Sequence, residues 1–313
     1  MKPRNPNEDG RRIGLICPTY NAGNMWREWI SAVKSQSEKI KVLVIDSGSS
    51  DKTVELANES GFDVLSIPNH KFNHGATRNL GANYFGNSVE ILIYLTQDAI
   101  LASKDSVLAI VKALNNSNIG AVCGRQLPRI NATSIEAHAR IFNYSSSSSV
   151  KSKADSDAIG IKVAFMSNSF AAYSKEVFDC CGKFPEDTIF GEDMYLAARM
   201  ILDGWKVAYS ADACVYHSHS YTIQEEFRRY FDVGVFQKRE SWIQFEFGSV
   251  GNEGFRYIKS ELKYLIRTGK FYLIPESFLR TIIKITAYKL GRLEKIIPQT
   301  MKMKLSMNKG YWK

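Results

Sequence analysis

Asp98 directly follows the apolar run Glu90–Leu95, in the order Thr96-Gln97-Asp98. A carboxylate at the end of a buried strand can hold a hard divalent cation. Mg²⁺ and Mn²⁺ prefer oxygen donors and accept few protein ligands when phosphates supply the rest. One Asp after one strand is common, so Asp98 matters only in company. Glu192-Asp193 opens the helical stretch Met194–Leu202. A helix N-terminus is expected to lower a carboxylate's pKa and keep it charged. That is the state of a general base receiving a proton from a hydroxyl, although capping is the commoner use of such acids. His217 and His219 are a third feature. Their rings are expected on opposite sides of an extended segment, so at most one faces a given site, and imidazole suits Mn²⁺ better than Mg²⁺. In Asn73-His74-Gly75-Ala76-Thr77-Arg78-Asn79, Gly75 permits close backbone approach and Arg78 offers a planar donor fork for phosphate or a base edge. The plainer alternative is a surface arginine on a helix.

These residues need elements to position them. Ile13–Pro18, Lys41–Ile45, Val64–Ile67 and Glu90–Leu95 are short apolar runs that predict buried strands. Between them Asn24–Lys34, a stretch capped by Asp51 and running to Glu59, and His74–Phe85 predict helices, and Lys104–Leu114 predicts another. Alternation of strand and helix over the first 115 residues predicts a parallel sheet covered on both faces. Ligands of such sheets bind beyond the carboxyl ends of the strands. Thr19, Tyr20 and Asn21, then Asp46 and Ser47, then Asp98 follow three separate strands, so they converge on one edge. Asp46 and Asp98 are read as functional and Asp51 as a helix cap. Ser145–Ser149 predicts a mobile loop, Val207–Tyr209 and Cys214–Tyr216 short strands, and Thr222–Phe236 a helix; the chain is helical from about Gly254.

Composition narrows the class. The chain has 313 residues, 44% hydrophobic and 23% charged, which excludes global disorder. No apolar stretch approaches the roughly 20 residues of a membrane span. The start, MKPRNPNEDGRR, is polar, so a cytoplasmic protein without a secretory signal is expected. Five cysteines with no CxxC pair predict buried, reduced thiols rather than zinc. Net charge is +9, yet Arg256–Lys313 holds fourteen Lys and Arg against three Glu, a net +11, leaving −2 on the other 255 residues. Basicity is thus a property of the tail. Its apolar residues, Phe278, Leu279, Ile282, Ile283 and Ile285, interleave with Arg280, Lys284, Lys289, Arg292 and Lys295. Such a helix can lie on an anionic bilayer, or pack on the catalytic domain or on a second subunit in a homo-oligomer. Without a reader motif, nucleic acid is not an expected partner.

Taken together, Cys17-Pro18-Thr19-Tyr20-Asn21, Val44–Asp51, His74–Asn79, Thr96-Gln97-Asp98-Ala99 and Gly191-Glu192-Asp193 resemble a family 2 glycosyltransferase over roughly residues 11 to 220. Leu95–Ala99, Tyr216–Thr222, Arg229–Phe236 and the ending with Lys304–Met307 and Tyr311-Trp312 are similar to bacterial rhamnosyltransferases of O-antigen and capsule assembly. The resemblance implies a GT-A fold: an α/β domain with a mostly parallel mixed sheet between helices, and here a helical C-terminal extension. The catalytic domain is expected over 11–222, its donor-binding half about 11–115 and its acceptor half about 116–222, with a basic amphipathic extension over 223–313. The implied activity is inverting transfer of L-rhamnose from dTDP-L-rhamnose to a polyprenyl-diphosphate-linked saccharide, at the inner face of the cell membrane. A UDP-sugar donor, or a non-catalytic nucleotide-sugar-binding or membrane-scaffold protein on the same fold, are the alternatives.

By the same resemblance, Pro18, Thr19 and Tyr20 border the nucleoside, and Asp46, with Ser47, reads the base or ribose. Arg78 and Gln97 lie by the donor. Asp98, the last acid of a DxD motif, holds Mg²⁺ or Mn²⁺ with His217. Asp193 is the catalytic base, with Glu192 beside it. The motif's first acid is replaced by Thr96, which leaves Asp98 as its one carboxylate and gives His217 more weight.

Overall fold

The computed structural model of the chain describes residues 12–116, 118–249, 251 and 253–313. The polar start, residues 1–11, and with it the first residue of the expected catalytic domain, lies outside them. The first half alternates as expected: β1 (Ile13–Thr19), α1 (Trp26–Lys34), β2 (Ile40–Asp46), α2 (Thr53–Glu59), β3 (Asp63–Ser66), α3 (His74–Phe85) and β4 (Ile91–Leu95). These strands run parallel in the order β3-β2-β1-β4. Leu15, Ile16, Leu43, Val44, Leu92 and Ile93 are fully buried, because helices cover both faces of the sheet.

The second half adds β5 (Ile100–Leu101), α4 (Ser106–Leu114), β6 (Ile119–Leu127), α5 (Ser134–Asn143), β7 (Ser149–Lys151), α6 (Ser156–Ile159), β8 (Phe170–Ser174), α7 (Lys175–Cys180), α8 (Glu192–Leu202) and β9 (Lys206–Tyr216). The sheet order becomes β3-β2-β1-β4-β8-β6-β9-β5, with β7 on β9. Here the pairings are antiparallel except β6 with β9. The two short strands expected at Val207–Tyr209 and Cys214–Tyr216 are parts of one strand whose register shifts between them. The serine run is not a free loop. Ser149 starts β7, Tyr209 donates to the Ser145 carbonyl, and Ser148 Oγ accepts from Ala211 N at 2.9 Å. All five cysteines are free thiols; Cys17, Cys123 and Cys181 are buried, whereas Cys180 is exposed and Cys214 half-buried.

The extension consists of α9 (Ile223–Arg239), α10 (Ser241–Phe247), α11 (Glu253–Arg267), α12 (Ile274–Arg292) and α13 (Gln299–Leu305). Phe231, Val235, Phe236, Phe247 and Trp312 share one hydrophobic core with Tyr94, Tyr173 and Leu196 of the sheet domain. Helices α9 and α12 cross at glycines: a Cβ on Gly234 would lie 2.1 Å from the Tyr288 carbonyl oxygen, and one on Gly291 2.0 Å from that of Phe231. Asp232, fully buried, accepts from the backbone N–H groups of Met307 and Asn308. Among the described residues, no helix is long and apolar enough to cross a membrane.

Candidate active site at the carboxyl rim of the sheet

Strand register assembles the first part of the site. β4 ends at Leu95, a turn closed by Ala99 N on the Thr96 carbonyl follows (3.0 Å), and β5 pairs with the end of β9, Ile100 opposite Tyr216. That register brings Asp98 beside the residues after β9. Asp98 Oδ2 lies 3.2 Å from His217 Nε2 and 3.6 Å from His219 Nδ1. The potential ligand atoms of all three lie within 4.8 Å of one another. Both imidazoles therefore face the carboxylate, contrary to the expectation that only one would. Residues two apart on extended chain share a face, and their rings meet edge to face at 4.4 Å. The two histidines hold the Asp98 carboxyl well below its usual range despite the opposing effect of burial. Burial, reinforced by His217, pushes His219 down to about 3.

The donor set fits a divalent cation. His217 is buried and its Nδ1 lies 2.8 Å from Gln126 Oε1; that amide's nitrogen donates to Ser167 Oγ at 2.9 Å. An amide oxygen can only accept, so Nδ1 carries the proton there and Nε2 is directed at Asp98. In the neutral ring Nε2 is a lone pair facing a carboxylate oxygen, a contact that a shared cation or proton relieves. The Gln126 contact is the kind of outer support that orients histidine ligands.

The second part lies across the end of β8. Leu95 pairs with Phe170, which places the polar triplet Ser167-Asn168-Ser169 next to the Asp98 turn. Asn168 N donates to Asp193 Oδ2 at 3.0 Å, and Asp193 Oδ1 accepts from Met194 N at 2.8 Å. Gly191, with φ of 77°, makes the left-handed turn that starts α8 there. So Asp98 and Asp193 occupy one rim, joined through His217, Gln126 and the 167–169 segment. The expected lowering of the Asp193 pKa does not hold: burial, and then the charge of Glu192, raise it to about 6. Two backbone N–H bonds and the helix end do not offset those effects.

Glu192 turns inward. It is 4% exposed, pairs with Arg78 Nη1 at 3.1 Å and accepts from Asn168 Nδ2 at 3.0 Å. Arg78 is equally buried and also donates to the His74 carbonyl at 3.0 Å. Its Nη1 is thus engaged inside the protein while its buried Nε has no hydrogen-bond partner, and Glu192 supports the site from behind. Asp46 is likewise internal at 2% exposure. Its carboxylate accepts from Thr19 Oγ1 (3.2 Å), Gly48 N (3.0 Å) and Ser49 N (2.9 Å), shaping the loop after β2. Thr19 and Ser47 are buried beside it, and Ser47 Oγ donates to the Thr19 carbonyl at 2.8 Å. Gln97 exchanges two hydrogen bonds with the Tyr20 backbone, 2.8 and 3.1 Å, so it anchors the loop after β1. Pro18 is half-buried and Tyr20 50% exposed. Asp51 is not the cap that the sequence predicts, since Lys52 holds the N-cap position of α2; its carboxylate accepts from Thr53 N at the helix start and from Gly23 N, and so ties the loop after β1 to α2.

The extension reaches the site twice. Asn308 Oδ1 lies 3.2 Å from His74 Nε2, and Arg280 Nη1 donates to the Tyr221 carbonyl at 3.1 Å. Tyr221 stacks on His219, ring centres 4.9 Å apart. His219, Gln126 and Asn168 are the participants sequence reasoning did not assign. His219 had a visible signal, as the partner of His217, and Asn168 another, as a polar residue inside an apolar segment; Gln126 had none.

Residues 15–182 match the family described as "Glycosyl transferase family 2". The chain is 49% identical over 303 residues to the O-antigen chain rhamnosyltransferase RfbN of Salmonella typhimurium, covering 96% of each. It is 46% identical to the O-antigen chain rhamnosyltransferase WbaN of Salmonella anatum, covering 95% of each. Among solved structures it resembles the mannosyltransferase PcManGT of Pyrobaculum calidifontis, in complex with GDP-Man and Mn²⁺, with TM-score 0.59 and 18% identity over 94% of this chain and 84% of that one. It also resembles residues 1–349 of S. aureus TarS in complex with UDP-GlcNAc, with TM-score 0.53 and 12% identity over 91% of each. At such identities these two likenesses speak to the fold alone.

Proposed function

Because the chain belongs to glycosyl transferase family 2, we propose that this glycosyltransferase moves L-rhamnose, with inversion, from dTDP-L-rhamnose to a polyprenyl-diphosphate-linked saccharide during O-antigen assembly. The observation that carries the reading is the shared rim of the Asp98–His217–His219 cluster and Asp193. Asp193, half-buried and pushed up to about 6, is ionised at neutral pH yet still basic enough to take a proton. It receives the proton of the acceptor hydroxyl as that oxygen bonds to the anomeric carbon and the bond to the donor diphosphate breaks. The arrangement needs no enzyme nucleophile, so the configuration inverts. Asp98, His217 and His219 would hold the divalent cation, which supplies charge neutralisation on the departing nucleoside diphosphate. Two imidazoles beside one carboxylate favour Mn²⁺ over Mg²⁺. Glu192 and Arg78 neutralise each other behind the site and fix the start of α8.

The acceptor's lipid fits the surface of the extension. Phe278, Leu279, Ile282 and Ile285 on α12 are 47–62% exposed, continuing a patch begun by Phe271 and Tyr272. The nearby acids are occupied: Glu276 by Arg280, Glu294 by Arg239 and Lys302. Lys270, Lys289, Arg292 and Lys295 are exposed beside the patch. An apolar stripe flanked by open cations suits an anionic bilayer surface at the inner face of the membrane.

The test is transfer of radiolabelled sugar from a panel of dTDP- and UDP-sugars to a synthetic lipid-diphosphate saccharide, with product configuration read by NMR. Turnover of dTDP-L-rhamnose with inversion in Mn²⁺ is expected. Turnover of UDP-sugars alone would refute the donor, and donor binding without turnover of any sugar would refute the enzyme.

A further inference from the structure

The turn that follows α13 is bound to the core of the extension and reaches the catalytic pair. Asp232, fully buried on α9, accepts at one carboxylate oxygen from Met307 N (3.0 Å), Asn308 N (3.1 Å) and Asn308 Nδ2 (2.9 Å). Those bonds fix the Asn308 amide, so its Oδ1 points at His74 Nε2, 3.2 Å away. An amide oxygen only accepts, so Nε2 carries the His74 proton. Burial holds that ring below its usual range, against the pull of Glu192. It is therefore neutral at neutral pH, and its Nδ1 is a lone pair. That lone pair faces Arg78 Nη1 at 3.4 Å, and the same Nη1 donates to the His74 carbonyl at 3.0 Å and pairs with Glu192 at 3.1 Å. Glu192 accepts in turn from Asn168 Nδ2 at 3.0 Å, and Asn168 N donates to Asp193 Oδ2 at 3.0 Å. The Asn168 amide is held in that sense because Tyr173 OH donates to its Oδ1 at 2.8 Å. An unbroken line of polar contacts thus runs from Asp232 to Asp193.

We infer that Asn308, fixed by Asp232, is a positioning residue for the catalytic base: through the His74 tautomer it holds Arg78 against Glu192, and so keeps Asp193 in place. The inference deepens the transferase reading and rests on it. The other tautomer shows why the proton's place matters. With its proton on Nδ1, the ring would present a donor to a guanidinium that can only donate, and Arg78 would be pushed off Glu192. Glu192 would then be a buried carboxylate beside Asp193 without its countercharge, which costs more than any one hydrogen bond of the line. Its displacement would carry the Asn168 bridge, and with it Asp193, out of position.

The test uses the full chain. Asn308→Leu removes the acceptor but keeps the backbone bonds of residues 307 and 308 to Asp232, and the Tyr311 bond to the Asp187 carbonyl. Nitrogen-15 spectra of the His74 ring need no turnover. They should show the proton on Nε2 in the wild type, and on Nδ1 or shared between the two nitrogens in the variant. A wild-type ring protonated on Nδ1, or a tautomer unmoved by Asn308→Leu, would overturn the relay, whatever the enzyme transfers. In steady state, kcat should fall about tenfold with donor KM within about twofold. An unchanged kcat, or a loss confined to donor KM, overturns the positioning role. His74→Phe breaks the same link from α3 and should slow transfer as much, with the double variant no slower than His74→Phe alone. Additive losses would mean that Asn308 acts by another route, and would sink the relay. Should circular dichroism show that Asn308→Leu does not fold, His74→Phe carries the kinetic comparison. A wild type that transfers no sugar refutes the transferase, and the ring spectra still decide the relay.

Discussion

Asp193→Asn should change the pH dependence of stability in a direction opposite to that expected of a helix-capping aspartate. In the folded protein the Asp193 carboxyl titrates near 6, because burial and then the Glu192 charge disfavour its anion; in an unfolded chain an Asp titrates near 3.9. Below about pH 4 both states hold the proton and the group contributes nothing. Between about 4 and 6 the unfolded chain releases a proton that the native state keeps, so stability falls as pH rises, and above about 6 the full penalty applies. Two pKa units at 1.36 kcal/mol each put that penalty on the order of 2–3 kcal/mol. Asparagine has one acceptor oxygen where the carboxylate accepts from both Asn168 N and Met194 N. Losing one bond costs about 1–3 kcal/mol at every pH. The constant offset drops out of the pH dependence. Urea unfolding of both proteins from pH 4 to 7.5 should therefore show the wild type losing about 2–3 kcal/mol relative to the variant as pH rises. A flat difference, or a wild type that gains on the variant, would refute the account of Asp193. The same titration predicts that wild-type transfer falls about tenfold from pH 7 to 5, as the ionised fraction drops from about nine-tenths to one-tenth.

Gln126→Leu removes the acceptor that fixes the His217 tautomer. Mn²⁺ affinity, read by electron paramagnetic resonance, should drop about 10- to 100-fold, and Gln126→Glu should restore most of it. Gly75→Ala would place a Cβ 1.9 Å from the Pro185 carbonyl oxygen at the start of α3; destabilisation on the order of 1–3 kcal/mol by chemical denaturation is expected, since backbone must yield. Ile282→Asp with Ile285→Asp puts two acids on the exposed face of α12. Co-sedimentation with vesicles rich in phosphatidylglycerol should be lost while the melting temperature holds; unchanged binding would exclude that face as the membrane contact.

The donor half was legible because its strands are continuous apolar runs, each ending in a polar group at the same sheet edge. Asp98 could be placed on that logic, whereas Asp193 was read from its place at a helix start and from the family resemblance. The internal roles of Asp46 and Arg78 could not. Their partners, Gly48 and Ser49 for one and Glu192 for the other, are set by loop shape and by a packing contact across 114 positions. His219 was misplaced by a parity error: two residues apart on extended chain is the same side, not the opposite. The Asp193 pKa depended on desolvation and a like charge, neither visible without knowing where Glu192 turns. Strand β6 went unassigned because Ile119–Leu127 ends its apolar run with Arg125 and Gln126. The tail's stripe could pack or lie open by sequence alone. In the fold, Ala287 and Gly291 face the core while Phe278, Ile282 and Ile285 stay outside.

The central claim is that a cation-held diphosphate at Asp98–His217–His219 and a base at Asp193 serve one displacement. Mn²⁺-dependent binding of dTDP-L-rhamnose by calorimetry, paired with transfer rates, tests it in Asp98→Ala and Asp193→Asn. The account predicts that Asp98→Ala loses the metal-dependent binding, whereas Asp193→Asn binds donor like the wild type and transfers at least about a hundredfold more slowly. Metal-dependent donor binding that survives in Asp98→Ala, or wild-type transfer by Asp193→Asn, would contradict it.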